Sequence, residues 1–259
     1  MTEVLMERFG QGAEASAEIT LNRPEKGNAL TLAMLRQLDA YVRELETDRA
    51  VRVVLLRGHG RFFSTGGDIE AWGGLAPHQM ARDWILPGID VFTRIAALPQ
   101  PVIAVLNGHA LGGGLELALA ADLRIAVHSA KLGTPEVTLG MISGWMGVSR
   151  LAETIGVARA RHMTLLGTPV TAEQARDWGL VTAVAQDAED LEKQVSAWRE
   201  RLSANGPAAM ALVKGILDGH HSDLRHHHAS AAAEAAGTED CREGVRAFLE
   251  KRKPEYRNR

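Results

Sequence analysis

Four short runs of β-branched and aliphatic residues stand out along the chain, at 17–22, 51–57, 102–106 and 123–127, each bounded by Gly, Pro or polar residues. Apolar runs of this length with turn residues at both ends predict buried strands. Between the first two, Leu32, Leu35, Leu38, Val42 and Leu45 recur at three- and four-residue steps, while Arg36, Asp39, Arg43 and Glu44 fall on the other side. That spacing predicts an amphipathic helix starting after Thr31. Alternation of strand and helix indicates an α/β core. From about Asp187 the strand signals stop, and an Ala-, Glu-, Arg- and His-rich composition with helical periodicity takes over. Asn205-Gly206-Pro207 and Gly219 divide this part into several helices, and Thr238-Glu239-Asp240 suits the start of the last. No linker or low-complexity tract intervenes, so a core over residues 1–190 is expected to pack directly against a helical region over 191–259. No internal repeat is evident from sequence similarity alone.

Composition narrows the class of protein. The 259 residues suffice to bury a substantial core. With 29 Lys and Arg against 32 Asp and Glu, the net charge of -3 offers no basic footprint for nucleic acid. One stretch, 101–121, superficially resembles a membrane span, but it contains Asn107, His109, Glu116 and four glycines, which fits a buried strand followed by a core helix. Glu3, Glu7 and Arg8 interrupt any apolar run of signal-peptide length, and the single cysteine, Cys241, excludes an intramolecular disulfide. A cytoplasmic, reducing location is the expectation.

The most informative segment runs from Leu106 to Glu116 and contains Gly112, Gly113 and Gly114 just before a helix expected over 115–121. Glycines let the backbone approach a ligand, and unpaired N–H groups at a helix N-terminus favour an anion. A developing oxyanion fits that description; so, for an isolated triplet, does an ordinary tight turn. An earlier segment, Phe62 to Ile69, has the same character and ends its loop in Gly66-Gly67-Asp68. Together the two segments can present one N–H each to a single carbonyl oxygen, and losing one such donor costs about 3 kcal/mol of transition-state stabilisation. Glu116 follows the triplet in an otherwise apolar helix start, and Glu136 lies in Gly133-Thr134-Pro135-Glu136-Val137. A carboxylate in apolar surroundings is costly without a partner or a purpose. Either it is a satisfied helix N-terminal acid, or the pair acts as general acid and base.

Other chemistries find little support. There is no G-x-S-x-G elbow, Walker loop, G-x-G-x-x-G or H-E-x-x-H. His220, His221, His226, His227 and His228 lack accompanying Cys or acidic ligands and read as a solvated helix face, so no metal is expected.

In its motifs the chain resembles the enoyl-CoA hydratase/isomerase (crotonase) family over nearly its whole length. Asn22 to Leu30 is similar to the N-terminal motif, Phe63 to Ile69 and Asn107 to Glu116 to its two oxyanion loops, and Thr238 to Arg252 to its C-terminal signature, in family order. The resemblance implies a crotonase-like spiral of ββα units with a C-terminal helical trimerisation region, as a homotrimer or dimer of trimers. It implies an oxyanion hole from the N–H groups of Gly67 and Gly113, with Glu116 and Glu136 as the catalytic glutamates of an enoyl-CoA hydratase. Gly66, Asp68, Ile69, Gly112, Lys26, Phe248 and Lys251 would contact the acyl-CoA, whose coenzyme A is part of the substrate and not a separate cofactor. Two departures bear on specificity. Glu70 stands where many hydratases have Lys, and the loop after Glu136 carries Ser143, Trp145 and Met146 where Pro, Ala and Gly are frequent, so Trp145 and Met146 are expected to shape the acyl pocket. Two alternatives remain: another crotonase-family reaction (isomerase, hydrolase, decarboxylase or hydratase-lyase) on a branched or aromatic acyl-CoA, and a catalytically silent acyl-CoA-binding subunit.

Overall fold

Two sheets form the core of the computed structural model, which describes residues 2–219 and 224–259. The strands are β1 (Val4–Phe9), β2 (Ser16–Leu21), β3 (Val53–Gly58), β4 (Phe62–Ser64), β5 (Val102–Leu106), β6 (His109–Leu111), β7 (Leu123–Val127), β8 (Lys131–Gly133), β9 (Val170–Thr171) and β10 (Ala183–Ala185). The larger sheet has the order β1-β2-β3-β5-β7-β10 and is parallel except for the β1–β2 hairpin. The smaller has the order β4-β6-β8-β9, with only β8 and β9 antiparallel.

The four apolar runs become β2, β3, β5 and β7, the first two displaced by one or two residues. Both faces of the larger sheet are covered, which explains why β5 is buried at every position. Val54, Leu56, Ala104 and Leu106 face one apolar cluster with the helix Leu32–Thr47, whereas Val53, Leu55, Ile103 and Val105 face a second with Leu191 and Val195. This division is the two-residue period of a strand. Thr31 caps the helix as expected, its Oγ1 accepting the Met34 N–H at 3.1 Å, and Leu35, Leu38, Val42 and Leu45 are buried. The helix Ala188–Ser203 crosses position 190 and supplies Leu191 and Val195 to the sheet's second face.

A structural repeat, invisible as sequence similarity, organises the core. In β3–β4, β5–β6 and β7–β8 alike, a long strand of the larger sheet turns into a three-residue strand of the smaller one. Each short strand then enters a helical turn: Ile69–Trp72, Gly113–Leu119 and the 3-10 turn Pro135–Leu139. Because β4, β6 and β8 are neighbours, the chain leaves all three side by side. The turns themselves interlock. Asn107 accepts the Gly58 N–H at 3.0 Å and donates to the Gly60 carbonyl at 2.9 Å, and a Cβ at Gly108 would stand 1.9 Å from the Arg61 carbonyl oxygen.

The C-terminal part is helical, comprising Ala188–Ser203, Pro207–Asp218, Leu224–Gly237 and Glu239–Glu250. Thr238 caps the last of these through the Cys241 N–H at 3.0 Å. The final residues return to the core: Asp240 accepts the amides of Arg257 and Asn258 at 2.7 and 2.9 Å, and Asn258 Nδ2 donates to the Arg49 carbonyl at 3.2 Å. Among the described residues no helix is long and apolar enough to cross a membrane.

One buried side chain ties the first turn together. Asn28, fully buried at φ +56°, donates to the carbonyls of His59 and Phe62 at 3.0 and 2.8 Å and accepts the Arg23 N–H at 2.9 Å. Asn28→Ala strands these groups away from water, so a loss of about 2–4 kcal/mol is expected. Urea unfolding checks it: the midpoint should fall with the slope unchanged.

Candidate active site

Gly67 and Gly113 meet at the ends of β4 and β6. A Cβ placed on Gly113 would lie 3.3 Å from the Gly67 nitrogen, and one on Gly66 would lie 3.1 Å from the Gly113 nitrogen. The direction of the two N–H groups follows from the backbone. Leu30 donates to the Gly66 carbonyl at 2.7 Å and accepts from the Asp68 N–H at 2.8 Å, so both peptide groups flanking Gly67 face Leu30. Successive N–H groups of an extended chain alternate in direction, which turns that of Gly67 to the opposite side. Gly113 is the first residue of its helix, two residues earlier than the sequence predicts, and its N–H has no acceptor within the helix. The early start comes from Gly112, whose φ of +53° bends the chain out of β6 directly into the helical turn.

Both glycines border a cavity of about 100 Å³ that also receives Glu116 and Glu136. Glu116 is 2% exposed. Its Oε1 accepts the N–H groups of Trp145 and Gly147, each at 2.7 Å, which leaves Oε2 as the oxygen open to a ligand. A Cβ at Gly147 would stand 2.4 Å from Glu116 Cγ, so this seat exists only because position 147 is glycine. Burial pushes the Glu116 carboxyl up to about 8, with the charge of Glu136 adding to it; the amides of Gly147 and Trp145 and the positive charge of Arg150 pull the other way. Glu136 sits in the turn after β8, and its Oε1 would be 3.1 Å from a Cβ at Gly112. Burial raises this carboxyl too, against its own backbone amide and Ser143, and its Oε2 is buried without a hydrogen-bond partner. The elements that follow β4, β6 and β8 thus deliver two amides and two carboxyls to one space.

Aromatic rings form the cavity floor. Trp84 and Trp145 are 4% and 2% exposed, with centroids 5.4 Å apart, and Trp145 Nε1 donates to the Trp84 carbonyl at 3.2 Å. Trp72 joins them in lining the cavity, and Trp145 lies where the sequence places it, against the acyl site. Ile69, Leu139 and Ile142, all more than half exposed, rim the mouth.

Other residues singled out in the sequence lie elsewhere. Gly66 and Gly112 border the cavity, but Asp68 does not. Asp68 is an N-cap, accepting the amides of Glu70 and Ala71 at 2.9 and 3.3 Å and pairing with Arg23. Burial opposes its ionisation, yet Arg23 and the two amides outweigh it and hold the carboxyl below its ordinary value. Met146 is 41% exposed and turns toward Thr93, away from the cavity. Its φ of +70° reverses the chain between Trp145 and Gly147, so neighbouring side chains point apart. Lys26 is paired with Glu70 at 3.3 Å on the surface, and Lys251 follows the last helix; neither borders the cavity. The Phe248 side chain, His220, His221 and the side chains of His226, His227 and His228 lie outside the described residues. Among the described residues no group of His, Cys, Asp and Glu is arranged to hold a metal.

A site of converging backbone amides and paired carboxyls after three ββ turns defines the class of protein, and similarity agrees. Residues 11–259 match the enoyl-CoA hydratase/isomerase family. A probable enoyl-CoA hydratase of Bacillus subtilis is 36% identical over 245 residues, covering 93% of this chain and 95% of that protein. A short-chain-enoyl-CoA hydratase of Clostridium acetobutylicum is 34% identical over 265 residues, covering 100% and 99%. The crystal structure of an enoyl-CoA hydratase from Bacillus anthracis superposes with a TM-score of 0.92 at 35% identity, covering 99% of this chain and 100% of that one. The chain belongs to the enoyl-CoA hydratase/isomerase family and has the crotonase fold of two mixed sheets and C-terminal helices.

The raised Glu116 carboxyl gives a stability test. An unfolded glutamate titrates near 4.5 and the folded one near 8, so between these values the folded state holds the extra proton. The stability it contributes is complete below about pH 4.5 and is lost as pH rises through 8. Glu116→Gln cannot ionise and is therefore expected to gain on the native chain by at least about 3 °C in Tm between pH 5 and pH 8. Thermal unfolding at both pH values decides; a difference that does not change with pH refutes the shift.

Proposed function

We propose that this chain is an enoyl-CoA hydratase, adding water reversibly across the 2,3 double bond of a 2-enoyl-CoA thioester. The observation that carries this function is the meeting of two outward-facing amides with two carboxyls that burial pushes up, the charge of Glu136 adding to the push on Glu116. The thioester oxygen sits between the N–H groups of Gly67 and Gly113, which stabilise the negative charge it gains as the enolate forms. Carbon 3 becomes electrophilic and carbon 2 basic. In the proposed step the pair enters with one proton, held by Glu116, whose carboxyl is pushed up to about 8. The ionised partner takes a proton from water as its oxygen bonds to carbon 3, and the neutral partner gives its proton to carbon 2. One water is consumed, and the pair again carries a single proton, now on the other carboxyl.

Each carboxyl has a feature suited to its part. Glu116 is held by two main-chain donors, which fixes its free oxygen in space. Glu136 has a buried oxygen without a protein partner, suited to a water or a substrate hydroxyl. Lys26 enters this function as a contact to coenzyme A, and Phe248 and Lys251 as contacts to its nucleotide end, supplied across a subunit boundary in a homotrimer.

Glu116→Gln and Glu136→Gln are each expected to lower kcat for crotonyl-CoA by at least about 100-fold. Loss of the enoyl-thioester absorbance measures this, and near-native rates in both variants refute the two-glutamate mechanism. Hydration by the native chain should also decline as pH passes about 8, where Glu116 gives up its proton. Mass spectrometry of products from a panel of acyl-CoAs separates hydration, which adds the mass of water, from isomerisation, which leaves mass unchanged.

A further inference from the structure

The cavity is small, and its floor is built to stay small. Its volume of about 100 Å³ is below the roughly 150 Å³ of a cavity that holds benzene. The limit is set chiefly by one side chain. The Trp145 ring lies 2.4 Å from where a Cβ of Gly113 would be and 3.4 Å from that of Gly67, directly beyond the two amides. It cannot swing aside. Its Nε1 is bonded to the Trp84 carbonyl, and its ring packs on Trp84 and edge-on to Phe92 at centroid distances of 5.4 and 5.3 Å.

The facing helix, Leu86–Ala96, has made room for it. A Cβ at Gly88 would stand 2.3 Å from Trp145 Nε1, so the indole occupies the volume that any other residue at 88 would fill. Ile85, on the same side, fills the space over Gly144, where a Cβ would come within 2.3 Å of its Cδ1. Buried aromatic floor and exposed aliphatic rim leave an acyl group entering past Ile69, Leu139 and Ile142 with little depth beyond its carbonyl.

We propose that Trp145, propped by Trp84 and accommodated by Gly88, is the specificity-determining residue that restricts this enzyme to short acyl thioesters. The assignment rests on the hydratase function proposed above. It concerns the indole alone, because the Trp145 N–H that holds Glu116 belongs to the main chain and survives substitution.

The test compares crotonyl-, hexenoyl- and octenoyl-CoA in the native chain, Trp145→Phe and Trp145→Leu. One methylene at a pocket floor alters discrimination by about 10- to 200-fold. The native kcat/KM is therefore expected to fall at least about 30-fold from crotonyl to octenoyl, and the octenoyl-to-crotonyl ratio to rise at least about 10-fold in Trp145→Leu, with Trp145→Phe between. A native chain that hydrates octenoyl-CoA as well as crotonyl-CoA overturns the proposal, as does a Leu variant that loses activity equally on all three. Should Trp145→Leu not fold, the native profile and Trp145→Phe decide. Calorimetry with butyryl- and octanoyl-CoA separates this proposal from the hydratase function. If nothing is hydrated but the native chain prefers butyryl-CoA and the variants relax that preference, the pocket assignment stands and hydration fails; equal affinities for both in every form overturn the pocket assignment.

Discussion

The close approach of two main-chain segments, one ending β4 and the other ending β6, is the constraint on which the rest of the site depends. With the Gly113 nitrogen 3.1 Å from where a Gly66 Cβ would be, no side chain fits between them. The approach is set from below by parallel pairing of β4 with β6 and by the Asn107 bonds that lock adjacent turns. From the side it is set by Leu30, which takes both peptide groups around Gly67 and so leaves that residue's own N–H facing the cavity. Every one of these contacts is made by backbone or by the half-buried Asn107 amide, and none competes with a ligand.

The carboxyls are the counterweight. Burying a glutamate opposes its ionisation, and burying two near each other opposes it further. The fold tolerates this because Glu116 is neutral over much of the physiological range and because two amides serve the one oxygen it commits to the protein. The same crowding that strains the folded chain at high pH keeps a proton available beside the cavity at neutral pH.

Much of this was legible in the residues themselves, for particular physical reasons. The long strands and the helix Leu32–Thr47 are visible because burial on one or two faces imposes a period on the side chains. The glycine-bearing loops are visible because close approach demands residues without side chains. The strands β4, β6 and β8 are not: three residues are too few to show alternation, and their turns repeat in shape without repeating in sequence. Nor does spacing reveal that Trp145 and Met146, adjacent in the chain, part company at a left-handed backbone. The seat for Glu116 also escapes, since a glycine at 147 looks like any helix start until the carboxylate beside it is seen.

Residues 145 and 147 hold Glu116 through their amides, while the indole of residue 145 forms the cavity floor. One short loop therefore carries two independent tasks, one written in its main chain and the other in a side chain. A different side chain at position 145 would reshape the cavity floor and leave the amide that holds the acid in place.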